Sequence, residues 1–204
     1  MKTITSTLAL FLVAIFAFAG NGDGEKYRLK VDTKKSKIFW TGKKVTGEHT
    51  GTLMIKKGNV VLDNGIPVGA TMDIDMSTIV VTDIKDEGTN AKLTGHLNSE
   101  DFFSTAKFPE GKFVATKITP IEGATGEEPN YTITGNLTLK GITDEVTFPA
   151  FISASGDKLV ANGKITFDRT KWNIRYGSGS FFEGLGDKVI YDDVELNFVL
   201  AANK

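Results

Sequence analysis

The chain has 204 residues, with 24 Lys and Arg against 25 Asp and Glu and a formal net charge of −1. That balance contains no basic patch, which excludes electrostatic recruitment to nucleic acid or to an anionic membrane surface. Cysteine is absent, so disulfides, a thiol nucleophile and an acylated lipoprotein N-terminus are excluded, and an exported form would rest on its core alone.

In chain order, Lys2 precedes an apolar run from Leu8 to Phe18, and Ala17-Phe18-Ala19 supplies the small residues that signal peptidase needs. The run is too short to cross a hydrocarbon core of ~30 Å as a helix. Residues 1–19 therefore read as a cleaved signal peptide and residues 20–204 as one domain.

From Tyr27 onward the apolar residues alternate with polar ones. Short alternations occupy Tyr27 to Val31, Lys37 to Val45 and Thr52 to Asp63. Next, Val68, Ala70, Met72, Ile74 and Met76 share one face, with Thr71, Asp73 and Asp75 on the other. This is the period of a strand with one dry side. Asp83 to Asn90 reads as an exposed loop. A short helix is expected near residues 98–106, where Asn98 or Ser99 would cap it, Glu100 and Asp101 suit its first turn, and Pro109 forbids continuation. Alternation resumes over Lys112 to Ile118, Tyr131 to Leu139, Val146 to Ile152, Leu159 to Phe167 and Val194 to Leu200.

Turns of the type Asp63-Asn64-Gly65 and Gly156-Asp157 join these segments, so the strands should run antiparallel. About eight one-sided strands must cover their dry faces, and closing the sheet also removes its edges. The 14 Phe, 2 Trp and 4 Tyr are more bulk than a thin sandwich core needs. The fold class is therefore an all-β antiparallel barrel of about eight strands, wide enough for one elongated ligand.

Catalytic motifs are weak. The two histidines, His49 and His96, lie far apart in sequence with no zinc-type spacing. Gly177-Ser178-Gly179 has the letters of a nucleophile elbow but sits among strands. Paired carboxylates at Asp73 and Asp75, and at Asp192 and Asp193, read as solubility and edge protection. In GSGSFFEGLGDKVIYDD, Gly179 and Gly184 have the spacing of a phosphate-binding loop, yet Leu185 stands where its lysine belongs and a strand follows instead of a helix. Phe181 and Phe182 then read either as a staple packed within the loop or as a glycine-hinged flap over a cavity.

Four pieces in order resemble the YceI-like family of periplasmic, lipocalin-like polyisoprenoid-binding proteins. They are Ile74-Asp75-Met76-Ser77-Thr78-Ile79; His96-Leu97-Asn98-Ser99-Glu100-Asp101-Phe102-Phe103 with Lys107-Phe108-Pro109; Gly135-Asn136-Leu137-Thr138-Leu139-Lys140-Gly141; and Phe167-Asp168-Arg169-Thr170-Lys171-Trp172-Asn173-Ile174. The chain departs from the family at Trp172-Asn173, where an aromatic followed by Gly is common, and in the long GSGSFFEGLGD loop.

The resemblance implies an eight-stranded lipocalin-like barrel whose lumen holds a long isoprenoid or quinone-like lipid, with no cofactor, no metal and no catalytic machinery. On that reading Phe102, Phe103, Phe108, Phe148, Phe167, Trp172, Ile174, Phe181 and Phe182 are expected to line the lumen. His96, Arg169 and Arg175 would meet a headgroup, with Arg169 equally readable as one half of a buried pair with Asp168 or another carboxylate. Peripheral membrane contact, export to the periplasm and a monomer or homodimer complete the expectation. Two alternatives stand beside it: a lipid-modifying enzyme using His96 or His49, and a structural or stress-related barrel packed with its own aromatics.

Overall fold

The computed structural model describes residues 26–204; the signal peptide expected over residues 1–19 lies outside them. Alternation produces nine strands: β1 (Lys26–Val31), β2 (Lys37–Lys44), β3 (Gly47–Asp63), β4 (Ile66–Val81), β5 (Glu110–Pro120), β6 (Tyr131–Leu139), β7 (Ile142–Ser155), β8 (Lys158–Asp168) and β9 (Ile190–Asn203). Every pairing is antiparallel, in the order β1-β3-β2-β9-β8-β7-β6-β5-β4, and β3 pairs with β4 to close the ring.

The expected eight-stranded closure holds because β1 and β2 share one place in the ring. β1 pairs with Asn59–Asp63 of β3 and with Ala202 and Asn203 of β9. β2 pairs with the other half of β3, Gly47–Leu53, and with Ile190–Val199 of β9. The interruption is a turn in which Asp32 Oδ1 accepts from the Lys34 and Lys35 amides, while Ser36 Oγ exchanges hydrogen bonds with the Ala201 backbone. One strand of the barrel is thus broken and re-sealed by side chains.

The dry face is the inside. Val146, Phe148, Ala150 and Ile152 of β7 are buried, as are Leu159, Ala161, Ile165 and Phe167 of β8. Strand glycines make room for rings: a Cβ on Gly51 would stand 2.5 Å from the Trp40 indole and 1.8 Å from Val80 O, and one on Gly135 2.5 Å from Phe113 Cζ. Without a side chain on the inner row, a large ring lies flat against the neighbouring strand.

Two expectations are corrected. Val68 is exposed and Pro67 takes the inner position, because the β3–β4 register slips between Val61–Gly69 and Leu62–Pro67, and one residue of slip exchanges the faces. The helix lies earlier than residues 98–106, as α1 (Glu87–Asn98). Asp86 caps it, its Oδ1 accepting from Thr89 N and Thr89 Oγ1, while residues 100–103 and 105–107 are turns. The segment read as a loop therefore opens the helix. Its apolar face is only Leu93 and Leu97, one turn apart, too faint a stripe to register as amphipathic.

Candidate functional site: a lumen in two chambers

The barrel interior contains two unfilled chambers. One, the far chamber, has a volume of about 90 Å³ and is lined among others by Val60, Met72, Phe113, Phe148 and Phe198. The other, the capped chamber, has about 80 Å³ and is lined by Trp40, Met76, Leu97, Phe102, Phe103 and Phe167 together with the stem of Arg169. Ile38, Ile74, Leu137 and Leu196 line both and form the waist between them. At about 24 cal/mol per Å³ of cavity, leaving both chambers empty costs roughly 4 kcal/mol. Water would recover little of that cost, because an apolar wall offers it no hydrogen-bond partners.

Burying a side chain as large as arginine beside such a wall requires full pairing. Arg169 is 2% exposed, on a 3₁₀ turn (Arg169–Trp172) whose preceding Asp168 caps Thr170 N. Nε donates to Tyr191 O at 3.1 Å, Nη1 to Ile174 O and Tyr176 O at 2.9 Å each, and Nη2 to Ile190 O at 3.0 Å and Asp192 Oδ1 at 3.2 Å. A guanidinium has five N–H groups, and here all are used within the protein. Burial pulls its pKa down, opposed by the carboxylates of Asp192 and Asp168.

Asp192 carries that order outward. Its Oδ2 accepts from Ser178 Oγ at 2.9 Å and Ser180 Oγ at 2.7 Å, and Ile190 N donates to Gly177 O at 2.8 Å. The base of the glycine-rich loop is therefore fastened to the barrel end through Arg169. Its tip faces outward: Phe181 and Phe182 are 46% and 50% exposed, line neither chamber, and Arg175 lies over the Phe181 ring at 4.3 Å.

Of the other residues singled out in the sequence, Phe102, Phe103, Phe148, Phe167 and Ile174 line the chambers. Trp172 stands behind them, fully buried, its Nε1 donating to Leu137 O at 3.0 Å and its ring edge-on to Phe167 at 5.1 Å. Asn173 follows in the left-handed region, φ 57 and ψ 35. That is where a glycine would sit, and asparagine is among the few other residues that tolerate it. Phe108 packs against Gly141 in a surface depression with Lys107 and Lys140.

His96 lies on α1 with Nε2 3.2 Å from Asp101 Oδ2, edge-on to Phe102 and Tyr176. His49 lies on β3 with Nδ1 2.8 Å from Asp83 Oδ2. Neither lines a chamber, and no cluster of three metal-ligating side chains occurs among the described residues. Burial opposes ionisation of Asp83, but hydrogen bonds from His49 and from the Thr50 amide outweigh it, so its carboxyl titrates below the usual range. Hydrogen bonds from Lys43 and Lys164 act the same way on Glu195. A carboxylate depressed in the folded state contributes stability above its unfolded pKa of about 4 and loses it as pH falls through the folded value. The melting temperature should therefore fall below about pH 4, and Asp83→Asn should flatten that fall in a thermal-unfolding series against pH.

Residues that sequence reasoning left aside complete the site. Ile38, Leu97 and Met76 line the lumen, and so does Trp40. Trp40 is 7% exposed, and its buried Nε1 has no acceptor among the described residues. A buried donor left unmade costs about 1–3 kcal/mol. The signal was present in the alternation Ile38, Trp40, Gly42, which places the indole on the inner row.

The family model for the YceI-like domain matches residues 29–202, the whole barrel. The chain belongs to the YceI-like family. Relatives of this YceI-like barrel include a UPF0312 protein of Pseudomonas putida strain W619, 28% identical over 149 residues that make up 72% of each chain. Protein YceI of Escherichia coli O157:H7 is 32% identical over 107 residues, 52% of this chain and 50% of the relative. Among solved structures, Burkholderia cenocepacia BcnA superposes with a TM-score of 0.61 at 26% identity, covering 85% of this YceI-like chain and 99% of BcnA. A polyisoprenoid binding domain from Saccharophagus degradans, implicated in plant cell wall breakdown, shares the fold with a TM-score of 0.59 at 15% identity, over 86% and 97% of the two chains.

Proposed function

We propose that this protein is an exported, non-enzymatic carrier or store that sequesters a long isoprenoid or quinone-like chain in its lumen. The observation that carries the reading is the pair of apolar chambers joined end to end inside a closed barrel. Chain transfer from water into such a lumen is favourable by about 25 cal/mol per Å² of apolar surface removed, without directional contacts. Membership of a family that includes a polyisoprenoid binding domain supports the ligand class. The apolar N-terminal run supports export to the periplasm. Protein purified from the periplasm without detergent should release an isoprenoid lipid on organic extraction and carry its mass in native mass spectrometry. Protein empty under all growth conditions would instead favour a barrel without a ligand.

The outward Phe181 and Phe182 fit delivery, because they project from a loop anchored beside the capped chamber. In this role they dip into a bilayer surface during loading. The double substitution Phe181→Ala and Phe182→Ala should leave stability within about 0.5 kcal/mol, as for other exposed sites. It should slow uptake of a prenol from phosphatidylcholine vesicles without changing how much lipid is held at equilibrium.

A further inference from the structure

At the capped end the barrel wall is short of a strand. β4 runs on to Val81, but β5 pairs with it only over Thr71–Asp75, and past the bond from Met76 N to Pro109 O the residues Ser77–Val81 have no strand on that side. Residues 87–108, α1 and the turns after it, fill this gap and give Leu97, Phe102 and Phe103 to the chamber wall. Their hydrogen bonds are mostly to one another. Phe103 N donates to Leu97 O, Ser104 N to Ser99 O, and Thr105 N to Asn98 O, while Thr105 Oγ1 donates to Asn98 Oδ1 and His96 is held by Asp101. Among the described residues two bonds tie the segment to the barrel strands and their turns. Asn90 Nδ2 donates to Val81 O at 3.0 Å, beside the root of the segment, and Lys140 Nζ donates to Glu100 O at 3.1 Å, on the far side.

Lys140 sits in the two-residue turn between β6 and β7 and also donates to Asn173 O at 3.3 Å, so one ammonium pins the segment to the barrel. A depression of about 280 Å³ follows this seam. Ser104, Lys140 and Asn173 line it, while their chain neighbours Phe103, Leu139 and Ile174 line the capped chamber, so the wall there is one residue thick. We infer that residues 87–108 are the door of the lumen: they swing as one body about residues 84–86 and Pro109, and a lipid chain enters sideways between β4 and the β6–β7 turn once Lys140 releases Glu100 O. A segment bonded chiefly to itself opens at the cost of few contacts, and closures of this kind commit a ligand to an enclosed site. Closing returns Leu97, Phe102 and Phe103 from water to the lumen, which shuts the door on the chain. The inference rests on the reading of the lumen as a lipid site and adds the route by which the lipid enters.

The chain has no cysteine, so a pair of introduced thiols can be bridged cleanly. Glu100→Cys with Ile142→Cys puts one thiol on each lip of the depression, and a bis-maleimide carrying a reducible disulfide spans it. Uptake of solanesol from phosphatidylcholine vesicles, followed by extraction of the separated protein over time, should be at least about tenfold slower in the bridged protein than in the same variant capped with N-ethylmaleimide. Reducing the bridge should restore the rate. Lys140→Met, which removes the pin, should speed uptake about threefold to tenfold, as for loss of one hydrogen bond, with the amount held at equilibrium unchanged. Bridged protein that loads as fast as the capped variant would overturn the door, and a Lys140→Met rate equal to that of wild type would overturn the pin. Wild-type protein that takes up no solanesol would overturn the lipid reading and the inference together.

Discussion

Replacing Arg169 with Ala is expected to destabilise the protein by about 3–5 kcal/mol, the range for removing one partner of a buried, fully hydrogen-bonded charge pair. For a domain of this size that corresponds to a melting temperature lower by roughly 6–20 °C. Four backbone carbonyls, those of Ile174, Tyr176, Ile190 and Tyr191, would lose their donor at once, and the Asp192 carboxylate would lose its cation. Ser178 and Ser180 hang on that carboxylate, so the glycine-rich loop should loosen with it. Arg169→Lys should recover only a small part, because one ammonium cannot reach donors spread over both sides of a planar fork. The alternative role for Arg169, pairing with a lipid headgroup, predicts the reverse: little change in thermal unfolding and a large loss of extracted lipid. Thermal unfolding by circular dichroism beside lipid extraction separates the two.

The fold was legible because a strand with one buried face writes its burial at period two, and β6, β7, β8 and β9 each carry an unbroken inner row. The errors fall where that code is interrupted. At Pro67 and Val68 a register slip reverses the faces, and no residue type announces it. In α1 the stripe is Leu93 and Leu97 alone, on a segment rich in Gly, Thr and Asn whose helix depends on its cap at Asp86 more than on its pattern. The lining aromatics of β7 and β8 followed from the same inner rows. Their neighbours did not: the partners of Arg169 are mostly main-chain carbonyls, which have no letter in the sequence. The unmade bond of Trp40 likewise has no letter in the sequence. Its indole was readable as inward, but the absence of an acceptor appears only once the barrel closes around it.

The waist gives the second large effect. Ile38, Ile74, Leu137 and Leu196 stand on four strands and face both chambers, so a chain that fills the lumen must thread between them. Leu196→Phe is expected to close that passage and to abolish capture of the long prenol solanesol, while the short prenol geraniol still binds in one chamber. Each isoprene unit excluded from the far chamber forfeits roughly 3–4 kcal/mol of gross transfer free energy. Even after partial compensation the loss for solanesol should exceed about 100-fold, at ~1.4 kcal/mol per factor of ten. Overpacking the waist should itself cost about 1–3 kcal/mol of stability, so binding is to be compared well below the variant's melting temperature. Leu196→Ala widens the same passage and should preserve or raise solanesol capture despite a cavity cost of about 2–5 kcal/mol. The opposite directions of binding and stability in that variant are what separate a threaded ligand from a packed core. A core with no ligand would lose stability in both variants and capture neither prenol. A lumen that admits the chain at the waist must respond to its width, and native mass spectra of the two variants with the two prenols read that response directly.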